Sequence, residues 1–360
     1  MTTETQAVMM IMVLLWTVII ILDAAVCGIL HLVSGIAFRK AFLWGLAALV
    51  LPPVLTAYGA FVERNMFRIK EIEIGLETLP ETFDGYRILH ISDIHARSFA
   101  GRETHLEKAV AMMNGQQPDL VAFTGDLITM LPEELDGISE ILGRIRAEDG
   151  VVSVPGNHDY CLYTDLSAEE KQAAFEDLVS REREMGWKVL LNSHHILVRG
   201  KDSVAVIGVE NTSPSRYFIS RGDLTRASEG TEGMFRIVLS HDPLHWESEI
   251  LGQDFPLTLS GHTHAMQLSI FGFSPSRLMF PQYRGLYSCS AECRDDTGED
   301  CMREQHIHVN IGLGETIFPA RIGARPEMTM ITLRRKQGYP ESTAVNHEDI
   351  YKEKALTKES

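Results

Sequence analysis

Five short polar clusters, most of them set where a run of strand-forming residues stops, constrain this chain more than any other feature. They are Asp93-Ile94-His95, Gly125-Asp126, Gly156-Asn157-His158-Asp159, Ser240-His241 and Gly261-His262-Thr263-His264. Strand-like residues 87–91, 120–124, 151–154 and 237–239 precede the first four. Side chains able to bind metal therefore recur where a buried strand gives way to a loop, which is where α/β folds assemble active sites.

The stretches between the clusters change period along the chain. Residues 103–113 carry Leu106, Val110 and Met113 at helical spacing. Residues 133–147 start after Pro132 and set Leu135, Ile138, Ile141, Leu142 and Ile145 on one face, and 167–185 read as a third, charged helix. Helix following strand, twice in succession, predicts a βαβ layout. Beyond residue 185 short strands take over, at 188–191, 195–198, 204–209, 236–240, 256–259, 306–310 and 328–333, while 67–79 reads as an extended connector. Two sheets packed together and covered by helices satisfy both halves, so the expected class is α/β.

Composition matters where it separates classes. With 45% hydrophobic and 23% charged residues in 360, the chain has the makeup of an ordered protein. Its apolar content is concentrated at the start: residues 7–22 hold no charge, apolar character resumes after Asp23 to Val33, and a second uncharged run, 41–62, follows Arg39-Lys40. About 20 helical residues cross a hydrocarbon core of ~30 Å. A signal peptide has a shorter apolar core, ~7–15 residues, behind a basic start, whereas the first Lys or Arg here is Arg39. The expected organisation is a transmembrane hairpin over 1–64, a catalytic domain over 65–335 and a polar, disordered tail over 336–360. Asp23 is costly in a membrane unless paired or near the interface, and Pro52-Pro53 predicts a kink in the second helix. Arg39 and Lys40 favour a cytoplasmic turn with the domain over 65–335 facing outward, whereas Arg64, Arg68 and Lys70 pull the other way.

The net charge of −16 argues against nucleic-acid binding, which is driven by basic surface. An anionic substrate stays open, because bound cations dominate a local field. Cys289, Cys293 and Cys301 crowd into residues 288–303. They leave open a disulfide with one thiol over, free thiols, or a structural zinc site completed by His306 or His308.

The clusters carry a definite chemistry. Asp and neutral His are ligands for divalent transition metals, and alternation in Asp93-Ile94-His95 sends both side chains to one side. Asp126 is suited to bridge two cations, Asn157 offers an amide oxygen, His158 an imidazole facing substrate, and His241, His262 and His264 complete the set. Seven converging groups make two adjacent metal sites, suited to phosphoester hydrolysis. Asp159 either orients His158, caps a helix or supports a ligand. Arg97 is a candidate for bidentate phosphate contact, with a salt bridge as the alternative. His90 is expected to face the core or to hydrogen-bond behind the ligands.

The ordered set D-x-H, GD, GNHD, H and GHTH, spanning about residues 86–333, resembles the calcineurin-like metallophosphoesterase superfamily. The resemblance implies a two-sheet αββα sandwich and two divalent ions of Mn, Fe or Zn type. It implies that Asp93, His95, Asp126 and His264 hold one ion, that Asp126, Asn157, His241 and His262 hold the other, and that His158 is catalytic. Gly285-Leu286-Tyr287 and Gly312-Leu313-Gly314, leading to Arg325-Pro326-Glu327, are similar to a branch with N-terminal membrane segments, including bacterial phosphodiesterases and UDP-2,3-diacylglucosamine hydrolase-like enzymes. Ala265-Met266 stand where relatives often have two glycines before the glutamine. The implied function is hydrolysis of a phosphodiester or pyrophosphate by metal-activated water, in a phosphorylated small molecule or a lipid-linked substrate at the bilayer. The rivals are a protein or nucleotide phosphatase and a noncatalytic membrane binding module on the same fold.

Overall fold

A computed structural model describes residues 3–294, 300–316 and 318–336, and from residue 337 onward the expected tail lies outside them. The apolar start forms α1 (Thr3–Ser34), α2 (Phe38–Gly45), a 3-10 turn (Leu46–Val50) and α3 (Leu51–Phe61). Two spans, Met12–Ser34 with mean hydropathy 2.6 and Phe38–Asn65 with 1.8, are long and apolar enough to cross a membrane, and little of either packs inside the protein. The second is interrupted near the expected place, since α3 restarts with proline in its first turn, where a missing N–H costs nothing. Trp16 donates its indole N–H to the Leu49 carbonyl at 2.9 Å, and the Asp23 carboxylate lies against Gly45 of the other span.

Twelve strands follow among the described residues: β1 (Arg68–Leu76), β2 (Arg87–Ile91), β3 (Leu120–Phe123), β4 (Val151–Ser153), β5 (Lys188–Val189), β6 (Ser193–Arg199), β7 (Asp202–Gly208), β8 (Phe235–Leu239), β9 (Leu257–Ser260), β10 (Gly285–Arg294), β11 (Asp300–Val309) and β12 (Glu327–Arg335). The first sheet has the order β1-β12-β2-β3-β4-β5; β2 to β5 run parallel and β12 is antiparallel to β2. The second has the order β10-β11-β9-β8-β7-β6; β11, β9, β8 and β7 run parallel, with the β6-β7 and β10-β11 hairpins at its edges.

Period-two alternation decides the layers. Leu89, Ile91, Val121 and Phe123 pack against Leu106, Val110 and Met113 of α4 (Glu103–Gly115), Ile141 of α5 (Ser139–Leu142) and Leu178 of α6 (Ala168–Glu184). Ile88, Leu120 and Ala122 point the other way, into Val204, Val206, Ile237, Leu239 and Leu257 of the second sheet. Ala205, Ile207, Val238 and Ile307 face outward beneath Trp246 and the residues of α7 (Leu224–Ser228). This is the expected αββα sandwich. Each fully buried aliphatic side chain contributes ~1.5–3 kcal/mol, so the strands are firmly held and the loops at their ends can carry strain.

Local departures from expectation have physical causes. Residues 133–147 do not form one helix: Gly137, at φ 77°, separates a 3-10 turn (Pro132–Leu135) from the single turn of α5. All five apolar positions of that face are buried nonetheless. Residues 67–79 contain β1 rather than a connector, with Ile72, Ile74 and Leu76 turned toward the inter-sheet core. The polar insert at 288–303 carries most of the β10-β11 hairpin. Cys289 is a free thiol, while the side chains of Cys293 and Cys301 lie outside the described residues. His306 hydrogen-bonds Ser288 and His308 hydrogen-bonds His90, each at 2.8 Å, and no group of the described residues there could hold a metal.

Candidate metal centre

Each candidate donor sits just beyond the C-terminal end of a parallel strand. Asp93 and His95 follow β2, Asp126 follows β3, Asn157 follows β4, His241 follows β8, and His262 and His264 follow β9. The two sheets thereby aim their loops at one point. The backbone there is strained: Asp93, His95, Asp126, His262 and His264 have φ of 49°, 44°, 59°, 73° and 49°. Left-handed backbone costs a non-glycine residue ~1–2 kcal/mol. It persists because the strands fix both ends and cross-ties hold the middle, from Asp93 N–H to Gly125 O (2.8 Å), His95 N–H to Asp126 O (3.1 Å) and Gly261 N–H to His241 O (2.9 Å). Such strain clusters at functional sites.

The side chains gather into two groups that share a carboxylate. Donor atoms of Asp93, His95, Asp126 and His264 lie within 4.8 Å of one another, and so do those of Asp126, His241 and His262. Asp126 Oδ2 is 3.7 Å from His95 Nε2 and 3.2 Å from His241 Nε2, which places it between the groups. Asn157 joins the second group, with Oδ1 2.9 Å from His262 Nδ1. Asp93 Oδ1 stands 3.2 Å from His264 Nε2. The arrangement fits divalent cations on its own chemistry. His95 Nε2 and His264 Nε2 face each other at 3.1 Å, and His241 Nε2 and His262 Nδ1 at 3.2 Å. His241 commits its Nδ1 proton to the Thr124 carbonyl at 2.7 Å, so in the neutral ring Nε2 presents a lone pair to the Asp126 carboxylate. Lone pairs and anions so crowded need a positive partner.

Electrostatics follow from burial and from these neighbours. Burial holds His95 well below the usual histidine range and lowers His262, keeping both neutral and competent as ligands. Burial also works against charge on His241, but the Asp126 and Asp93 carboxylates outweigh it and raise this imidazole to about 10, so a proton on Nε2 supplies the positive partner until a cation replaces it. In the same way His264 and His241 hold the Asp93 carboxyl low against its burial.

His158 stands at the edge, half-buried. Its ring Nδ1 donates to the Thr129 carbonyl at 2.8 Å, which leaves Nε2 for a substrate, and its backbone N–H donates to Asp126 Oδ1 at 2.9 Å. Tyr163 packs on the ring at 4.5 Å and accepts a hydrogen bond from Asn157 at 2.8 Å. Asp159 does not touch the His158 ring. It accepts from the backbone N–H groups of Asp126, Leu127, Ile128 and Gly156, clamping two site loops together. Arg97 is exposed just beyond His95, and its backbone N–H donates to Glu134.

Further residues support the ligands; of these only His90 and Gly312 stand out in the sequence. Glu134 accepts from the N–H groups of Thr129 and Met130, both at 2.7 Å, and so fixes the carbonyl that orients His158. Ser92 bonds Asp93 and Asn310. Gly312, at φ 76°, passes so close that a Cβ would stand 2.5 Å from Asp93 Cβ. Arg321, fully buried, donates to the Ile311 and Ala324 carbonyls at 3.0 and 2.9 Å. His90 lies between the sheets, bonded to His308 and to Thr124 Oγ1 at 2.9 Å, behind the residue whose carbonyl holds His241. Burial lowers it to about 3.

The pattern of the calcineurin-like phosphoesterase family matches residues 86–266, a stretch that includes all five clusters. A Danio rerio protein named "Transmembrane protein with metallophosphoesterase domain" is 34% identical over 315 residues, covering 84% of this chain and 64% of that protein. Its Bos taurus namesake is 26% identical over 300 residues, with coverage of 82% and 64%. The Bacillus subtilis metallophosphoesterase YkuE is 29% identical over 305 residues, 82% of this chain and 97% of its own length.

Proposed function

This chain belongs to the calcineurin-like phosphoesterase family and is a metal-dependent phosphoric ester hydrolase, and from that premise we propose that it cleaves a phosphodiester or pyrophosphate bond, in a lipid-linked substrate, at a two-cation centre. The observation that carries this reading is the pair of buried donor groups sharing Asp126, with His158 at their edge. When bound, two divalent cations of Mn, Fe or Zn type supply Lewis acidity at phosphoryl oxygens and lower the pKa of water. Asp93, His95, Asp126 and His264 hold one cation; Asp126, Asn157, His241 and His262 hold the other. With its Nδ1 proton committed to Thr129, His158 in its charged form carries a second proton on Nε2, and that N–H donates to a phosphoryl oxygen or passes its proton to the leaving oxygen. Arg97 contacts a substrate phosphate. The two apolar spans and the relatives named as transmembrane proteins support a membrane-anchored enzyme; Arg39 and Lys40 between the spans favour a catalytic domain on the outer side, in this reading of a bacterial inner membrane.

The test is hydrolysis of bis-p-nitrophenyl phosphate by the metal-loaded, detergent-solubilised protein. His158→Ala is expected to abolish turnover while retaining metal, and wild-type turnover in that variant would sink the assignment. A panel containing lipid pyrophosphates, nucleotides and phosphopeptides then separates the lipid reading from its rivals.

A further inference from the structure

Directly after the last cluster the chain does something costly for a protein surrounded by water. Ile270, Phe271, Phe273, Leu278 and Met279 are 52%, 105%, 52%, 81% and 58% exposed. Ile270 and Phe273 pair across a tight turn, with N–H to carbonyl distances of 2.8 and 3.0 Å in the two directions, so Phe271 stands at the tip. A patch of this kind is a contact surface waiting for an apolar partner.

Its position identifies that partner. The base of the turn is tied to Ile322, through Ser269 N–H to Ile322 O (2.8 Å) and Ile322 N–H to Gln267 O (2.9 Å). Ile322 in turn packs on Gly59 near the end of α3, where an added Cβ would stand 2.9 Å from Ile322 Cγ1 and 2.8 Å from the Arg321 carbonyl. The apolar turn is thus fastened beside the exit of the second membrane span, where Phe61 and Val62 are also exposed. The patch continues into the centre, since Phe280, next to Met279, sets its ring 5.3 Å from that of His262. Exposed Arg277 lies between the apolar residues, where a guanidinium meets lipid phosphates while its stem lies on apolar surface.

We propose that the segment from Leu268 to Met279 is an interfacial membrane contact that inserts Phe271 and its neighbours into the leaflet at which α3 emerges, so that the metal centre opens on the bilayer surface and takes phosphoesters of lipid headgroups. The substrate class rests on the hydrolase reading above; the membrane contact does not.

The experiment uses the full chain in phosphatidylcholine vesicles, with Phe271→Trp measured against the wild type, whose Trp16, Trp44, Trp187 and Trp246 form the background. The added fluorescence is expected to be quenched by acyl-brominated lipid and shielded from aqueous acrylamide. Acrylamide access without lipid quenching overturns the proposal, and so does shielding from both quenchers, which assigns the patch to a protein neighbour such as a second copy. A second arm compares Phe271→Ser/Phe273→Ser with wild type on a diacylglycerol p-nitrophenyl phosphodiester carried in the vesicles and on soluble bis-p-nitrophenyl phosphate. Loss of the two apolar anchors is expected to lower lipid turnover at least about tenfold with soluble turnover unchanged, and an equal effect on both substrates contradicts the proposal. A wild type that hydrolyses neither substrate refutes the hydrolase reading instead, and the quenching result stands apart from it.

Discussion

Replacing Asp159 by Asn is a sharp test of how the site is held. Oδ1 accepts from Leu127 and Ile128 at 2.8 and 3.2 Å, and Oδ2 from Asp126 and Gly156, both at 2.8 Å. All four in-plane lone pairs are used. Asn keeps one oxygen and turns an NH2 group toward two N–H donors, losing two bonds to a charged acceptor at ~1.5–3 kcal/mol each. Part of that loss is returned by removing a buried charge; burial and the Asp126 carboxylate oppose that charge strongly enough to push the Asp159 carboxyl up to about 7. The net expectation is ~2–3 kcal/mol of destabilisation, a fall in apparent Tm of roughly 5–10 °C for a domain of this size, together with weaker metal binding. Thermal unfolding and metal titration of the detergent-solubilised variant measure both. Lost turnover with unchanged Tm and metal affinity would mean that Asp159 acts on the His158 ring instead, and would refute the clamp.

Two further outcomes follow from residues outside the ligand set. Burial, and after it the Asp159 carboxylate, push the Glu182 carboxyl of α6 up to about 8. Above the ordinary glutamate range the unfolded chain has released this proton while the folded chain still holds it, so this group's contribution is full below that range and is lost as pH rises toward 8, by up to ~1.4 kcal/mol per unit. Glu182→Gln is expected to flatten that slope in urea unfolding, and an unchanged slope contradicts the assignment. Met266 is left-handed at φ 49° and 43% exposed. Met266→Gly relieves ~1–2 kcal/mol of backbone strain against a smaller entropy cost, so a Tm a few degrees higher is expected, and a lower one would show that its side chain packs more than its exposure suggests.

What was legible in the sequence is what short-range chemistry dictates. Asp93, His95, Asp126 and the glycine-flanked histidines stand out because polar ligands at the ends of apolar strands have few structural uses. The two-sheet arrangement was legible too, from β/α alternation giving way to strand pairs, but the division of Ile88, Leu120 and Ala122 from Leu89 and Val121 was not, because both faces of these strands are apolar. Contacts made across long separations were not. His90 meets His308 across 218 positions, and Asn310 reaches the site from the same distance, just past the end of β11. Residues 133–147 show the opposite error: the apolar face was right, but the left-handed Gly137 ends the helix that the face implies. β10 was hidden because its polar residues read as loop until β11 supplies a partner. The departure at Ala265-Met266 acquires a physical meaning, because both residues adopt the left-handed backbone that glycine takes freely.

The proposed function requires two cations, held by donor groups that share Asp126. Metal content per chain, measured by mass spectrometry on the purified protein in parallel with hydrolysis of bis-p-nitrophenyl phosphate, tests it most directly. Two divalent ions per chain are expected in the wild type, and the loss of at least one, together with hydrolysis, in Asp126→Asn. Full hydrolysis by chelator-stripped wild type, or an Asp126→Asn protein that keeps both ions and its activity, would contradict it.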